Sequence, residues 1–166
     1  MRSGLLAPDV LYAEVRQAVS GELPDRDADM TARAWIDEFT AQLADDQTSW
    51  PAQTDYHRLQ AAFADIEADG VVVLQGCDDH WAAKALLEQR GDEPPRGVAW
   101  FTPPDVWHAI DEGMLEVNLW HGNTANAAPG DPLLDEVLVI FERHELPAHF
   151  DEGRIEVSAQ WHRPLA

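Results

Sequence analysis

Short apolar runs alternate with helix-starting signals through the second half of the chain, and this alternation limits the fold more than any other feature. Val71–Leu74 is an uninterrupted apolar run directly after Gly70, which predicts a strand buried on both faces. The elements predicted after it are a helix over 78–89, a strand over 97–101, a helix over 103–113, a strand over 114–120, a helix over 131–144 and a hairpin of 148–151 with 155–161. This β-helix-β-helix-β order favours a sheet with parallel pairs, and the closing hairpin makes the sheet mixed.

The first half predicts only helices. Apolar residues recur at helical spacing over 8–20, 28–44 and 54–69, and Gly or Pro residues end or separate these segments. The fold class that follows is α+β, in which N-terminal helices pack with a mixed β-sheet. We expect one domain over 1–166, made of a helical part over 1–46 and an α/β core over 50–163.

The charge of the chain narrows the possible partners. There are 11 Lys and Arg residues against 31 Asp and Glu residues, which gives a net charge of −20. Binding by phosphate neutralisation, as in nucleic-acid proteins and proteins of anionic membranes, is therefore excluded. The acids either keep the protein soluble or form a face that meets a basic protein partner. They are spread along the chain without an acidic tail, which leaves both interpretations open.

The expected location is the cytoplasm. The first 20 residues lack the apolar segment of a secretory signal, and no stretch approaches the ~18 apolar residues of a membrane helix. Cys77 is the single cysteine, so an internal disulfide framework is excluded and a reducing compartment is allowed. None of these patterns predicts the oligomeric state.

A distinctive motif follows residue 49. It reads Trp50-Pro51-x-x-Thr54-Asp55-x-x-Arg58-Leu59-x-x-Ala62-Phe63, with Gly70-Val71 after it. Together with Gly97–Phe101 and the closing Trp161-x-Arg163, it resembles the bacterial domain-of-unknown-function family DUF6891 over residues 30–163. The resemblance implies a shared fold and supplies no activity.

Cys77 and His80 form the strongest local candidate for a site. In the family that the chain resembles, members have a cysteine cluster, C-C-x-x-C-G, just after the first strand. At the same place this chain has Gly76-Cys77-Asp78-Asp79-His80-Trp81. Thiolate and imidazole both bind zinc, and a two-residue spacer lets both reach one ion. A structural site needs four ligands, so the others would come from Asp78, Asp79 or distant histidines. The alternatives are a small buried thiol beside a helix start capped by Asp78 or Asp79, or a reactive thiolate at a helix N-terminus.

A wider pocket is predicted at one edge of the sheet. If the first three strands are parallel, the residues that follow their carboxyl ends share an edge where α/β proteins bind ligands. Ordinary strand-end residues are the alternative interpretation. The side chains that would line or roof this pocket are those of Cys77, His80, Thr102, His121, Trp81 and Trp107.

Two further features have both a structural and a functional interpretation. Asp55 and Arg58 lie three residues apart on a predicted helix and either form a capping pair or, with Thr54, anchor the helix or contact a partner. An exposed aromatic side chain could also anchor a partner. The candidates, on elements with a polar side, are Trp35, Trp81, Trp107 and Trp161.

These observations lead to functions of different classes. The first is a non-enzymatic protein–protein interaction domain, immunity-like or regulatory, whose acidic surface meets a basic partner, since no catalytic motif is recognisable. The second is a metal-dependent enzyme or metal sensor that uses zinc at Cys77 and His80. The third is a domain that binds a small molecule at the sheet edge without catalysis.

Overall fold

The structure is a computed structural model that describes residues 1–91 and 93–165. Within them the chain divides into two units, one of Met1–Ala52 with the residues from Arg163 onward, and one of Gln53–His162. The expectation of a single domain, with parts over 1–46 and 50–163, stays a prediction.

Two packed helices make up most of the N-terminal unit. They are α1 (Pro8–Glu22) and α2 (Ala28–Gln47). Asp29 of α2 ties them together, because it accepts from the Tyr12 hydroxyl and from Arg16 Nε, both at 2.7 Å. Hydrogen bonds from these two side chains lower the pKa of the Asp29 carboxyl. Val19 and Leu43 are among the buried apolar residues of this unit.

The second unit is a five-stranded sheet with helices on both faces. Its helices are α3 (Asp55–Ala68), α4 (His80–Gln89), α5 (Pro103–Asp111) and α6 (Pro132–Arg143), and its strands are β1 (Val71–Gln75), β2 (Gly97–Phe101), β3 (Met114–His121), β4 (Ala148–Asp151) and β5 (Arg154–Ser158). The strand order is β1-β2-β3-β5-β4. The predicted α+β class, with N-terminal helices and a mixed sheet, is confirmed. None of the helices in the described residues is long and apolar enough to cross a membrane.

The direction of β3 differs from the prediction. β1 and β2 are parallel, with Gln75 beside Phe101, whereas β3 is antiparallel to β2, with Gly97 opposite His121. The predicted pocket required three parallel strands, and this condition fails for the third strand. The connection over 102–113 sits at the lower limit of about a dozen residues for a parallel crossover. Gly113, with φ of +74°, instead turns the chain from α5 directly back into β3.

The two faces of the sheet bury different helices. On one face α4 contributes Leu87 to an apolar cluster with Trp100 of β2. On the other, Phe63 of α3 packs on Phe101 of β2 and on Phe141 of α6, with ring centroids 5.6 and 6.2 Å apart. Because α4 follows β1 and α5 follows β2, both helices start at the edge where these parallel strands end.

Candidate functional site

Most of the predicted site residues meet where β1 and β2 end. We call this region the carboxyl edge and define it as residues 76–81 and 102–107. Cys77 N donates to Phe101 O at 3.0 Å, and this hydrogen bond extends the pairing of β1 with β2 into the carboxyl edge. The predicted residues that lie here are Cys77, Asp78, Asp79, His80, Trp81, Thr102 and Trp107.

His121 lies at the opposite edge of the sheet. It ends β3 beside Gly97, roughly 13 Å along β2 from the carboxyl edge. Its Nε2 is 3.0 Å from Asp131 Oδ2, an oxygen that also accepts from Ala128 N at 2.8 Å. The hydrogen bonds with His121 and Ala128 lower the pKa of the Asp131 carboxyl. The predicted pocket that joins His121 to Cys77 is therefore not formed.

Asp79 fixes the start of α4. Its Oδ1 accepts from Trp81 N at 2.8 Å and from Ala82 N at 3.3 Å, which satisfies two N–H groups that the helix itself leaves free. Asp78 is exposed, and it has no hydrogen bond or ion pair with any residue that the structure describes. The carboxylate of Asp78 is therefore exposed to solvent.

Thr102 and Asp105 start α5 together. Thr102 N and Oγ1 each donate to Asp105 Oδ2 at 2.7 Å. Pro103 and Pro104 follow as the first two helical residues, where a missing N–H group costs no hydrogen bond. Thr102, predicted as a pocket residue, thus has a defined role in the cap of α5.

Cys77 has the environment of a packed thiol. Its Sγ lies 3.6 Å from Asp79 O and from Phe101 O, and either carbonyl can accept the one hydrogen bond of a protonated thiol. Burial raises the pKa of the Cys77 thiol, and the charges of Asp79, Asp78 and Asp105 raise it further. Because the thiolate is the nucleophile and the metal ligand, this environment favours the interpretation of a small packed side chain.

The zinc hypothesis for Cys77 and His80 stays a prediction. Over residues 1–91 and 93–165, no three or more His, Cys, Asp and Glu side chains are grouped to hold a metal ion. The His80 ring instead packs on Trp81, with centroids 4.6 Å apart, and lies 6.5 Å from the ring of Trp120.

Two tryptophans are exposed at the carboxyl edge, one on each helix. Trp81 is the second residue of α4 and is 58% exposed, and Trp107 is the fifth residue of α5 and is 47% exposed. Tryptophan side chains are highly buried on average, so the exposure of each of these two rings departs from what is usual for the residue. In the other unit Trp35 is 38% exposed.

A chain of aromatic rings ties Trp81 to the core. Trp81 packs on His80, His80 lies beside Trp120, and Trp120 meets the buried Trp100 edge-to-face at a centroid distance of 5.4 Å. The exposed ring therefore begins a series of ring contacts that extends to the core.

Lys84 lies over the ring of Trp81. Its Nζ is 5.1 Å from the ring centroid and 3.8 Å from Glu88 Oε1. This contact was not predicted from the sequence, although the spacing i, i+3, i+7 of Trp81, Lys84 and Glu88 places all three on one helix face. Lys84 is also the single lysine of the chain.

The Thr54–Arg58 segment anchors the end of the second unit to α3. Thr54 Oγ1 donates to His162 O at 2.8 Å, and Asp55 Oδ2 accepts from Gln160 N at 3.1 Å. Arg58 donates to the other oxygen of Asp55 at 2.8 Å. Both structural interpretations of the motif are therefore observed, since Asp55 pairs with Arg58 and the segment anchors the helix.

Trp161 is held by the same anchored segment. Its ring meets Tyr56 and Phe101 edge-to-face, with centroids 5.1 and 5.9 Å apart, and the residue is only 4% exposed. Trp161 is therefore a core residue, and the exposed candidates are Trp35, Trp81 and Trp107.

The family of the chain is shown by comparison with known proteins. Residues 1–165 match DUF6891, described as a domain of unknown function, and the chain belongs to this family. The resemblance carried by the motif after residue 49 is thereby confirmed. No curated protein and no solved structure matches the chain.

Proposed function

We propose that this member of the DUF6891 family is a protein–protein interaction domain that binds a basic segment of its partner at the carboxyl edge. The observation that carries the proposal is the exposure of Trp81 and Trp107 at the carboxyl edge, which also contains the exposed carboxylate of Asp78. An arginine side chain fits this combination best, because its guanidinium can stack on an indole ring while its N–H groups bond a carboxylate.

The charge of the whole chain supports the same class of partner. A net charge of −20 attracts a positively charged protein and speeds its association. Dispersed acids alone would hold such a partner at many places with little preference. Exposed tryptophans give the surface a defined anchor, since aromatic side chains are enriched among the residues that dominate binding energy.

The ionisable groups of the carboxyl edge support binding over catalysis. Asp79 and Asp105 are engaged in the caps of α4 and α5, and burial disfavours the thiolate of Cys77. An immunity-like or regulatory role toward a basic protein requires only a charged surface with an aromatic anchor.

Titration of isotope-labelled protein with an arginine–glycine repeat peptide tests the proposal. The indole N–H signals of the seven tryptophans can be assigned with single Trp→Phe variants and followed by NMR. We expect the signals of Trp81 and Trp107 to shift saturably, while those of Trp35 and the buried Trp161 stay in place. A glutamate–glycine peptide of the same length is the control. Equal shifts at Trp35 and Trp81, or no shift at either edge tryptophan, would contradict the proposal.

A further inference from the structure

We infer that the ring of Trp81 is a guanidinium-binding position, that Lys84 occupies it in the free protein, and that an arginine of the partner displaces Lys84. The inference rests on the proposed function of the carboxyl edge. It adds which side chain there recognises the partner and which internal group competes for the same place.

The ammonium of Lys84 is placed where a partner's cation would bind. Its distance of 5.1 Å from the centroid of Trp81 is inside the roughly 6 Å range of a cation–π contact. Its ion pair with Glu88, at 3.8 Å, is exposed at both ends and stabilises the arrangement little. Lys84 is therefore held weakly enough to exchange.

A partner's arginine has two advantages over Lys84 at this ring. The guanidinium is planar and more weakly hydrated than an ammonium, so it stacks flat on an indole at a smaller cost in lost hydration. Its remaining N–H groups are able to hydrogen-bond a carboxylate, and Asp78, three residues before Trp81 in the sequence, has an exposed one. The displaced Lys84 can keep its pairing with Glu88, since both lie on α4.

Removal of the competing charge should strengthen binding of the arginine–glycine peptide. Lys84→Met keeps the aliphatic stem, and the loss of the internal cation–π contact should lower Kd about two- to fivefold. Arg90→Met, just after α4, makes the same change in net charge away from Trp81 and is the matched control. Lys84→Arg keeps a cation on the ring and should bind no more tightly than the wild type. Equal gains in Lys84→Met and Arg90→Met would overturn the inference.

The displacement can be observed directly, because labelled lysine reports Lys84 alone among the 166 residues. In the free protein we expect the indole ring current to shift the Hε signals of Lys84. Saturating arginine–glycine peptide should move them to the position of free lysine, and Trp81→Leu should give the same position without peptide.

The Lys84 and indole signals together separate a failure of the displacement from a failure of the proposed function. A Lys84 signal that is unshifted in the free protein, or that stays shifted at saturation while the indoles of Trp81 and Trp107 respond, overturns the displacement and leaves the proposed function standing. Indole signals that do not respond to the peptide overturn both.

Discussion

Loss of the Thr54 hydroxyl should destabilise the second unit without changing its shape. Thr54 is 2% exposed, and its Oγ1 donates to His162 O at 2.8 Å, which joins α3 to the end of the unit. Thr54→Val preserves the side-chain volume, deprives the half-buried His162 carbonyl of this donor and also removes the hydroxyl from the capping box that Thr54 forms with His57 at the start of α3. A carbonyl left without such a donor costs about 1–3 kcal/mol, and partial access to water places the expected loss at about 1–2 kcal/mol.

Urea unfolding followed by far-UV circular dichroism measures this loss as a change in the free energy of unfolding. Thr54→Ser and Thr54→Ala differ by the hydroxyl alone. The free energy of unfolding should therefore be about 1–2 kcal/mol lower for Thr54→Ala than for Thr54→Ser. A Thr54→Val protein as stable as the wild type, or equal stabilities of the Ser and Ala variants, would refute the anchoring role of the hydroxyl.

Three further predictions concern individual groups. Alkylation of Cys77 by iodoacetamide should reach half its maximal rate at a higher pH in the folded protein than in the unfolded one, because burial and nearby carboxylates raise the thiol pKa; an equal or lower midpoint would contradict this. Since the pKa of Asp131 is lowered when folded, its stabilisation is present above the unfolded value of about 3.9 and is lost as the pH falls through the folded value. Asp131→Asn should therefore reduce the pH dependence of the free energy of unfolding in that range. An unchanged pH dependence would contradict this prediction. Metal analysis of protein purified without an affinity tag should find the same substoichiometric zinc in the wild type and Cys77→Ser, since a protonated thiol is a poor ligand; equimolar zinc that is lost in Cys77→Ser and in His80→Ala would support the zinc hypothesis.

The helices and strands were predictable because their boundaries carry local signals. Pro8 begins α1, Gly70 precedes β1 at a φ of +82°, and Thr102 with Asp105 forms the box that starts α5. The predicted hairpin is formed, and the Glu152–Gly153 turn joins its two strands with a positive φ at both residues. Each of these signals acts within a few residues, so the sequence alone reveals it.

The direction of β3, and which residues lie together at the site, were less predictable because they depend on distant parts of the chain. A connection at the length limit allows either direction of β3, and this choice decides whether His121 joins Cys77 or lies at the opposite edge. The burial of Trp161 depends on Phe101, which is 60 residues away in the sequence. The contact of Lys84 with Trp81, by contrast, lies within one helix turn and was open to prediction.

The affinity of Trp81→Leu for the arginine–glycine peptide, measured by calorimetry beside Trp35→Leu, tests the central claim most directly. Both variants remove an exposed indole and leave the net charge at −20, so long-range attraction is the same in each. A ring that anchors a partner contributes roughly 1 kcal/mol or more to the binding free energy. We therefore predict that Trp81→Leu raises Kd about five- to tenfold, while Trp35→Leu leaves Kd unchanged. An unchanged Kd in Trp81→Leu, or an equal loss in both variants, would contradict the claim that the carboxyl edge is the binding surface.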